Sequence, residues 1–176
     1  MSSILKVNTY QDANGNALFS SDGSGNVTLS SADLKSTPAF LLNKTDTQSI
    51  STNTTTKVTF NSEVIDTDSA CNTTTFTVPS GKGGKYVLYA GVQYSVTSDG
   101  SYVIVYIYVN GASYGKSINY SPNTADLSEN LTIVADLSAG DTVELYTRQN
   151  TGSSQTIKGA SDEKTTYLGG YKLIGA

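Results

Sequence analysis

The groups whose chemistry could matter are the carboxylates at Glu63, Asp66, Asp68, Glu129, Asp141, Glu144, Asp162 and Glu163 and a single thiol at Cys71. Two carboxylates flanking a glycosidic bond can serve as acid and base. Here each lies in or beside a turn rich in Gly, Ser and Asn, where capping the turn is the ordinary work of an Asp, so glycosidase chemistry is not expected. The 176 residues contain no histidine, so neither a Ser-His-Asp nor a Cys-His site can be built. Cys71, beside Asn72 and Thr73, has no imidazole to draw off its proton and reads as a structural residue. Asp12-x-Asn14-x-Asn16 has the opening of a calcium loop, but the obligatory glycine is Ala17 and the bidentate glutamate position is Gly23. Ser80-Gly81-Lys82-Gly83-Gly84-Lys85 lacks both the phosphate-loop spacing and the hydroxyl that should follow the lysine. No enzyme, metal or cofactor is expected.

Binding is the remaining class, and composition narrows it. Eleven Lys and Arg against fifteen Asp and Glu give a formal charge of −4 with no basic stripe, which argues against nucleic acid. The opening Met1-Ser2-Ser3-Ile4-Leu5-Lys6 has no signal-peptide core, and no apolar run approaches the roughly 20 residues of a bilayer span, so no membrane insertion is expected. One cysteine makes no intrachain bridge, which fits assembly in a reducing cytoplasm. Only 15% of residues are charged, and Ser, Thr, Asn, Gly and twelve Tyr fill the gap, as on a β-rich surface protein.

No window sustains a 3.6-residue apolar period, whereas period-2 runs bounded by Gly, Asn, Asp and Ser recur throughout, so the chain is all-β. Residues 1–36 form a short N-terminal β-hairpin arm, with strands expected over Ile4–Tyr10, Ala17–Phe19 and Val27–Leu29. The separators Asp12-Ala13-Asn14-Gly15-Asn16 and Asp22-Gly23-Ser24-Gly25-Asn26 are turn chemistry. Its few apolar side chains do not offset an ordering entropy of about 1–2 kcal/mol per residue. The arm must lean on its own domain, on sister chains or on a larger assembly; its docking candidates are Ile4, Leu5, Val7, Tyr10, Leu18 and Phe19.

From Thr37 to Ala176 the pattern predicts a head of about ten strands in two stacked antiparallel sheets. They are expected over Pro38–Leu42, Val58–Val64, Thr74–Val78, Lys85–Thr97, Ser101–Val109, near Lys116–Tyr120, Ser128–Leu137, Thr142–Gln149 and a terminal run Thr165–Ile174, with Thr45–Thr56 a loop or edge strand. Parity sorts their faces. Tyr86, Leu88, Ala90, Val92 and Tyr94 oppose Val87, Tyr89, Gly91 and Gln93; Leu131, Ile133, Ala135 and Leu137 oppose Asn130, Thr132 and Val134; Tyr167, Gly169, Tyr171 and Leu173 oppose Leu168, Gly170 and Ile174. A monomeric sandwich needs one apolar face per sheet, so a partly apolar second face rich in Tyr suggests burial against other copies. In Ser101–Val109, a face of Val103, Val105, Ile107 and Val109 opposes Tyr102, Ile104, Tyr106 and Tyr108; with the valines inward, Tyr102, Tyr106 and Tyr108 form a candidate recognition surface unless loops or the arm cover it.

Three pieces in combination carry a resemblance: the corner Phe76-Thr77-Val78-Pro79-Ser80-Gly81-Lys82-Gly83-Gly84-Lys85 leading into Tyr86-Val87-Leu88-Tyr89, the turn Leu137-Ser138-Ala139-Gly140-Asp141, and the last strand Tyr167-Leu168-Gly169-Gly170-Tyr171. They resemble the jelly-roll heads of the tumour necrosis factor superfamily and of the q subcomponent of complement component one, over about residues 37–176. The resemblance implies a homotrimer in which the strands bearing these motifs share an inner sheet whose outer face lines the threefold axis, placing Val87, Tyr89, Val134, Tyr167 and Tyr171 there. Lys172 in the closing segment, and Lys82 with Lys85 at the corner, depart from the pattern.

Such heads also occur on phage fibres, and the opening Ser3-Ile4-Leu5-Lys6-Val7-Asn8-Thr9-Tyr10-Gln11-Asp12 is similar to N-terminal segments of virion proteins of marine phages. The resemblance implies a non-enzymatic structural protein of a tailed bacteriophage, made in the host cytoplasm and displayed on the virion as a capsid decoration or tail-fibre knob. The arm would grip a capsid or tail protein, and the head would meet a glycan or protein of the host surface. The alternative is a secreted or surface jelly-roll ligand for a carbohydrate or receptor; the absence of Gly-X-Y triplets counts against a true complement head.

Overall fold

The computed structural model describes residues 7–29, 38–95 and 98–174, and no helix occurs among them. The chain divides into two compact units, one built on the N-terminal strands and one spanning Thr37–Leu173.

The N-terminal unit is a meander of β1 (Thr9–Gln11), β2 (Ala17–Ser21) and β3 (Val27–Leu29), paired in chain order. The strand expected from Ile4 starts at Thr9, and residues 4 and 5 lie outside the described region. Each turn is wound on an aspartate. Asp12 Oδ1 accepts the backbone N–H groups of Asn14 and Asn16, both at 2.9 Å, and its Oδ2 accepts Asn16 Nδ2 at 2.9 Å. These bonds favour the ionised carboxylate, so the Asp12 acid is held below its ordinary value, first by the Asn16 amide.

The head is a sandwich. Its larger sheet comprises β4 (Ala39–Asn43), β5 (Gln48–Ile50), β7 (Ser62–Asp66), β9 (Gly84–Ser95), β12 (Leu127–Leu137), β14 (Gln155–Ile157) and β15 (Tyr167–Lys172). They run in the order β5-β14-β9-β15-β4-β7, and β12 lines the other edge of β9. The smaller sheet runs β11 (Ala112–Tyr120), β10 (Tyr102–Val109), β13 (Thr142–Gln149), β6 (Thr56–Lys57), and β8 (Thr75–Thr77) also pairs with β13. Between them lie the inward faces that parity selects: Tyr86, Leu88 and Tyr94 from one sheet and Val103, Val105 and Leu145 from the other are all fully buried. Phe40 and Phe76 stack across the sandwich at 4.0 Å and 5°. Each buried tyrosine hydroxyl has a partner: Tyr86 donates to the Lys82 carbonyl at 2.6 Å, and Tyr94 lies 2.9 Å from Thr147 Oγ1, which itself donates to the Ile104 carbonyl.

Two details differ from the expected head. Among the described residues it has twelve strands rather than about ten: β5 is the edge strand allowed for in Thr45–Thr56, and the short runs β6 and β14 are additional. The strand expected over Val58–Val64 begins only at Ser62. Val58 and Phe60 are buried as their alternation demands, yet the Gln48 side chain takes their neighbours' backbone, donating to the Lys57 carbonyl and accepting the Thr59 N–H. A side chain thus replaces the strand ladder there.

The proline corner and the Gly-Asp turn are one device. Lys82 N–H closes the turn on the Pro79 carbonyl at 3.1 Å, across Gly81 with φ of 73°. Val78 then exchanges both backbone bonds with the other turn: its N–H donates to the Asp141 carbonyl and its carbonyl accepts Gly140 N–H, each at 2.8 Å. Of the three departing lysines, Lys82 lies 3.5 Å from Asp68, Lys85 is exposed, and Lys172 is buried on the core side of β15.

Candidate oligomerisation face

The outward face of the larger sheet collects all five residues assigned to the axis. Val134 on β12 pairs with Val87 on β9, which pairs with Tyr171 on β15, making one row. In the next row Tyr89 lies between Thr132 and Gly169, and in the third Gly91 lies between Asn130 and Tyr167. Val134 is 56% exposed and Tyr171 39%, while Val87, Tyr89 and Tyr167 are half-buried. The apolar row is therefore left open on a single chain.

The two central tyrosines lie across glycines. A Cβ at Gly169 would stand 2.5 Å from the Tyr89 ring, and one at Gly91 would stand 2.7 Å from the Tyr167 ring. The rings tilt against each other at 6.2 Å, and Tyr167 donates to Asn130 Oδ1 at 2.9 Å. Burial, with Tyr171 and Tyr167 nearby, pushes the Tyr89 phenol above its usual value, so it stays neutral. Beside them a hollow of about 370 Å³ is lined by Leu41, Tyr89, Lys164 and Tyr167. Leu41 and Lys164 escaped the sequence reading. Leu41 sits in the wholly apolar run Phe40–Leu42, where the two faces cannot be told apart by alternation, and Lys164 arrives from a loop.

The tyrosines of β10 also face outward. Val103, Val105 and Ile107 are fully buried, while Tyr102, Tyr106 and Tyr108 are half-buried on the opposite face, and Ile104 between them is only 7% exposed. Neighbouring strands add rings that the sequence reading missed: Tyr146 of β13 stacks on Tyr108 at 4.1 Å, and Tyr120 of β11 meets Tyr102 edge-on at 5.9 Å. A cross-strand register was needed to find them.

Four of the eight carboxylates have separate structural partners. Glu144 pairs with Lys57 at 2.6 Å, Asp66 accepts the N–H groups of Ala70 and Cys71, Glu129 accepts Ser117 Oγ, and Asp141 accepts Asn110 Nδ2 and Ser138 N–H. Burial, then the charges of Asp66 and Glu63, push the Cys71 thiol up to about 12. In the arm, Tyr10 and Phe19 stack at 4.4 Å, and Leu18 is the residue skipped where the register of β1 and β2 shifts; Val7, Tyr10 and Leu18 are exposed. Of the anchor candidates, Ile4 and Leu5 lie outside the described residues.

The order of strands and the two corners define an all-β jelly roll of the kind seen in complement and tumour necrosis factor heads. The globular domain of zebrafish complement 1qA matches with a TM-score of 0.54 at 16% identity, over 77% of this chain and 97% of that one. The Eiger tumour necrosis factor of S. frugiperda matches at 0.58 and 15%, over 78% and 93%, and murine APRIL at 0.55 and 20%, over 77% and 99%. No protein-family model and no curated protein matches the sequence.

Proposed function

We propose that the chain is a homotrimeric, non-enzymatic display protein of a virus particle, a capsid decoration or fibre knob of a tailed bacteriophage. The observation that carries the trimer is the open row Val134–Val87–Tyr171 beside the paired Tyr89 and Tyr167, an apolar outward face on a sheet already buried on its other side. A threefold axis through it would bury these rings while the Tyr167 hydroxyl keeps its bond to Asn130. Particle placement is supported by the opening segment and by an arm too poor in apolar area to fold alone; Val7 and Leu18, outside the Tyr10–Phe19 stack, are the residues offered to a capsid or tail protein. The tyrosine face of β10, extended by Tyr146 and Tyr120, is the surface offered to a host glycan or protein.

Light scattering of the purified chain should give three times 18.5 kDa at micromolar concentration; a monodisperse monomer overturns the trimer. Electron microscopy of particles with and without the protein should show a knob of that mass on the surface. A second reading, a secreted receptor or carbohydrate ligand, is favoured by the fold likeness to complement and tumour necrosis factor heads. Recovery of the protein free in the medium, with none on particles, would select it.

A further inference from the structure

The arm repeats itself with a period of ten residues. Asp12, Asn14, Gly15 and Asn16 correspond to Asp22, Ser24, Gly25 and Asn26. The bonding corresponds too: Asp22 Oδ1 accepts the N–H groups of Ser24 and Asn26, and its Oδ2 accepts Asn26 Nδ2, as Asp12 does one repeat earlier. The pairs closing the loops, Gln11 with Ala17 and Ser21 with Val27, are likewise ten residues apart. A register shift between Tyr10 and Gln11 then brings Tyr10 opposite Phe19, and the unbroken pairing of β2 with β3 sets Phe19 opposite Leu29.

The result is a sheet with two unlike faces. Tyr10, Phe19, Val27 and Leu29 lie on one with Ser21, and Thr9, Ser20 and Thr28 on the other. On this face Tyr10 is 40% and Val27 60% exposed, so much of its apolar area is open on a single chain. The face carries no charge, so like copies do not repel across it.

We propose that this face is covered by the same face of the two sister arms, giving a closed three-sided β-prism with Tyr10, Phe19, Val27 and Leu29 inside. The inference rests on the trimeric head. Eight residues separate Leu29 from Pro38, a reach of at most about 30 Å, which holds three arms at millimolar local concentration beside one trimer. A repeated unit with a neutral apolar face is suited to meet copies of itself, and closure round a threefold axis matches the symmetry of the head. It leaves the Thr9, Ser20 and Thr28 face outward, so particle docking would use that side.

The test uses the full chain carrying Cys71→Ser, with Val27→Cys on the inner face or Thr28→Cys on the outer one. After mild oxidation of dilute protein, Val27→Cys should form disulfide-linked pairs at least tenfold more than Thr28→Cys, unchanged by further dilution. A trimer by light scattering in which neither or both variants link overturns the prism and leaves the head reading intact. A monomer overturns both. Phe19→Ser provides a second readout: in a prism it should raise the rate of protease cleavage within the arm at least tenfold while the mass stays trimeric, and an unchanged rate counts against the prism.

Discussion

The ring of Tyr89 occupies the space that a side chain at residue 169 would need: a Cβ on Gly169 would stand 2.5 Å from Cε2 and Cζ of that ring. Gly91 and Tyr167 repeat the arrangement one row away, so two glycines on adjacent strands let two large rings lie flat on the sheet. The rings could not fill this face otherwise.

Gly169→Ala should therefore destabilise the head by about 1–3 kcal/mol, because the ring must lift off the sheet or the strand must shift. Denaturant unfolding measures it. Adding Tyr89→Ala should recover most of the loss, a coupling expected only if these two residues compete for one space.

Tyr89→Asp should prevent trimer formation while the monomer still folds. Three carboxylates brought to a dry axis lose hydration and repel one another, at about 3–5 kcal/mol or more. Light scattering and circular dichroism together decide it; a folded Tyr89→Asp trimer of native heat stability would mean that the face lies outside the interface.

Asp141 makes acid sensitivity predictable. Its carboxyl is held below the ordinary 3.8 first by the Asn110 amide and then by the Ser138 N–H. A depressed folded value gives stability that is present above about pH 4 and lost as pH falls through the depressed value. Asp141→Asn cannot accept both bonds, so it should be less stable at pH 7 by about 0.5–1.5 kcal/mol. Melting curves of the two proteins should converge as pH drops below 4.

Cys71 should be nearly inert while the head is folded. With the thiol pushed from 9.0 to about 12, the thiolate share at pH 8 falls roughly a thousandfold. Labelling by a disulfide reagent should be slow in buffer and fast in denaturant; equal rates would place the thiol in water.

Deleting residues 2–36 should leave a soluble, trimeric head with a melting temperature within a few degrees of the full chain, since Thr37–Leu173 contains both sheets and the core. The shortened protein should no longer bind particles that lack the native copy. An insoluble product would make the arm part of the head's fold.

Strand parity was legible in the long strands: Tyr86–Leu88–Ala90 against Val87–Tyr89, and Val103–Val105–Ile107 against the tyrosines of β10, lie as the alternation requires. It was not legible at Leu41, where both faces are apolar; at Val58 and Phe60 the alternation holds, but the expected strand does not form because a glutamine side chain stands in for a neighbouring strand.

The sequence by itself determined the all-β class, the two corners and which side of each long strand meets the core, because these follow from local turn chemistry and a period of two. Tertiary structure decided which strands lie side by side. Only that register puts Val134 beside Val87 and Tyr171, lays Tyr89 over Gly169, and joins Tyr146 to Tyr108. Such pairings join residues tens of positions apart, and no local preference specifies them; they are set by how two whole sheets close over one core.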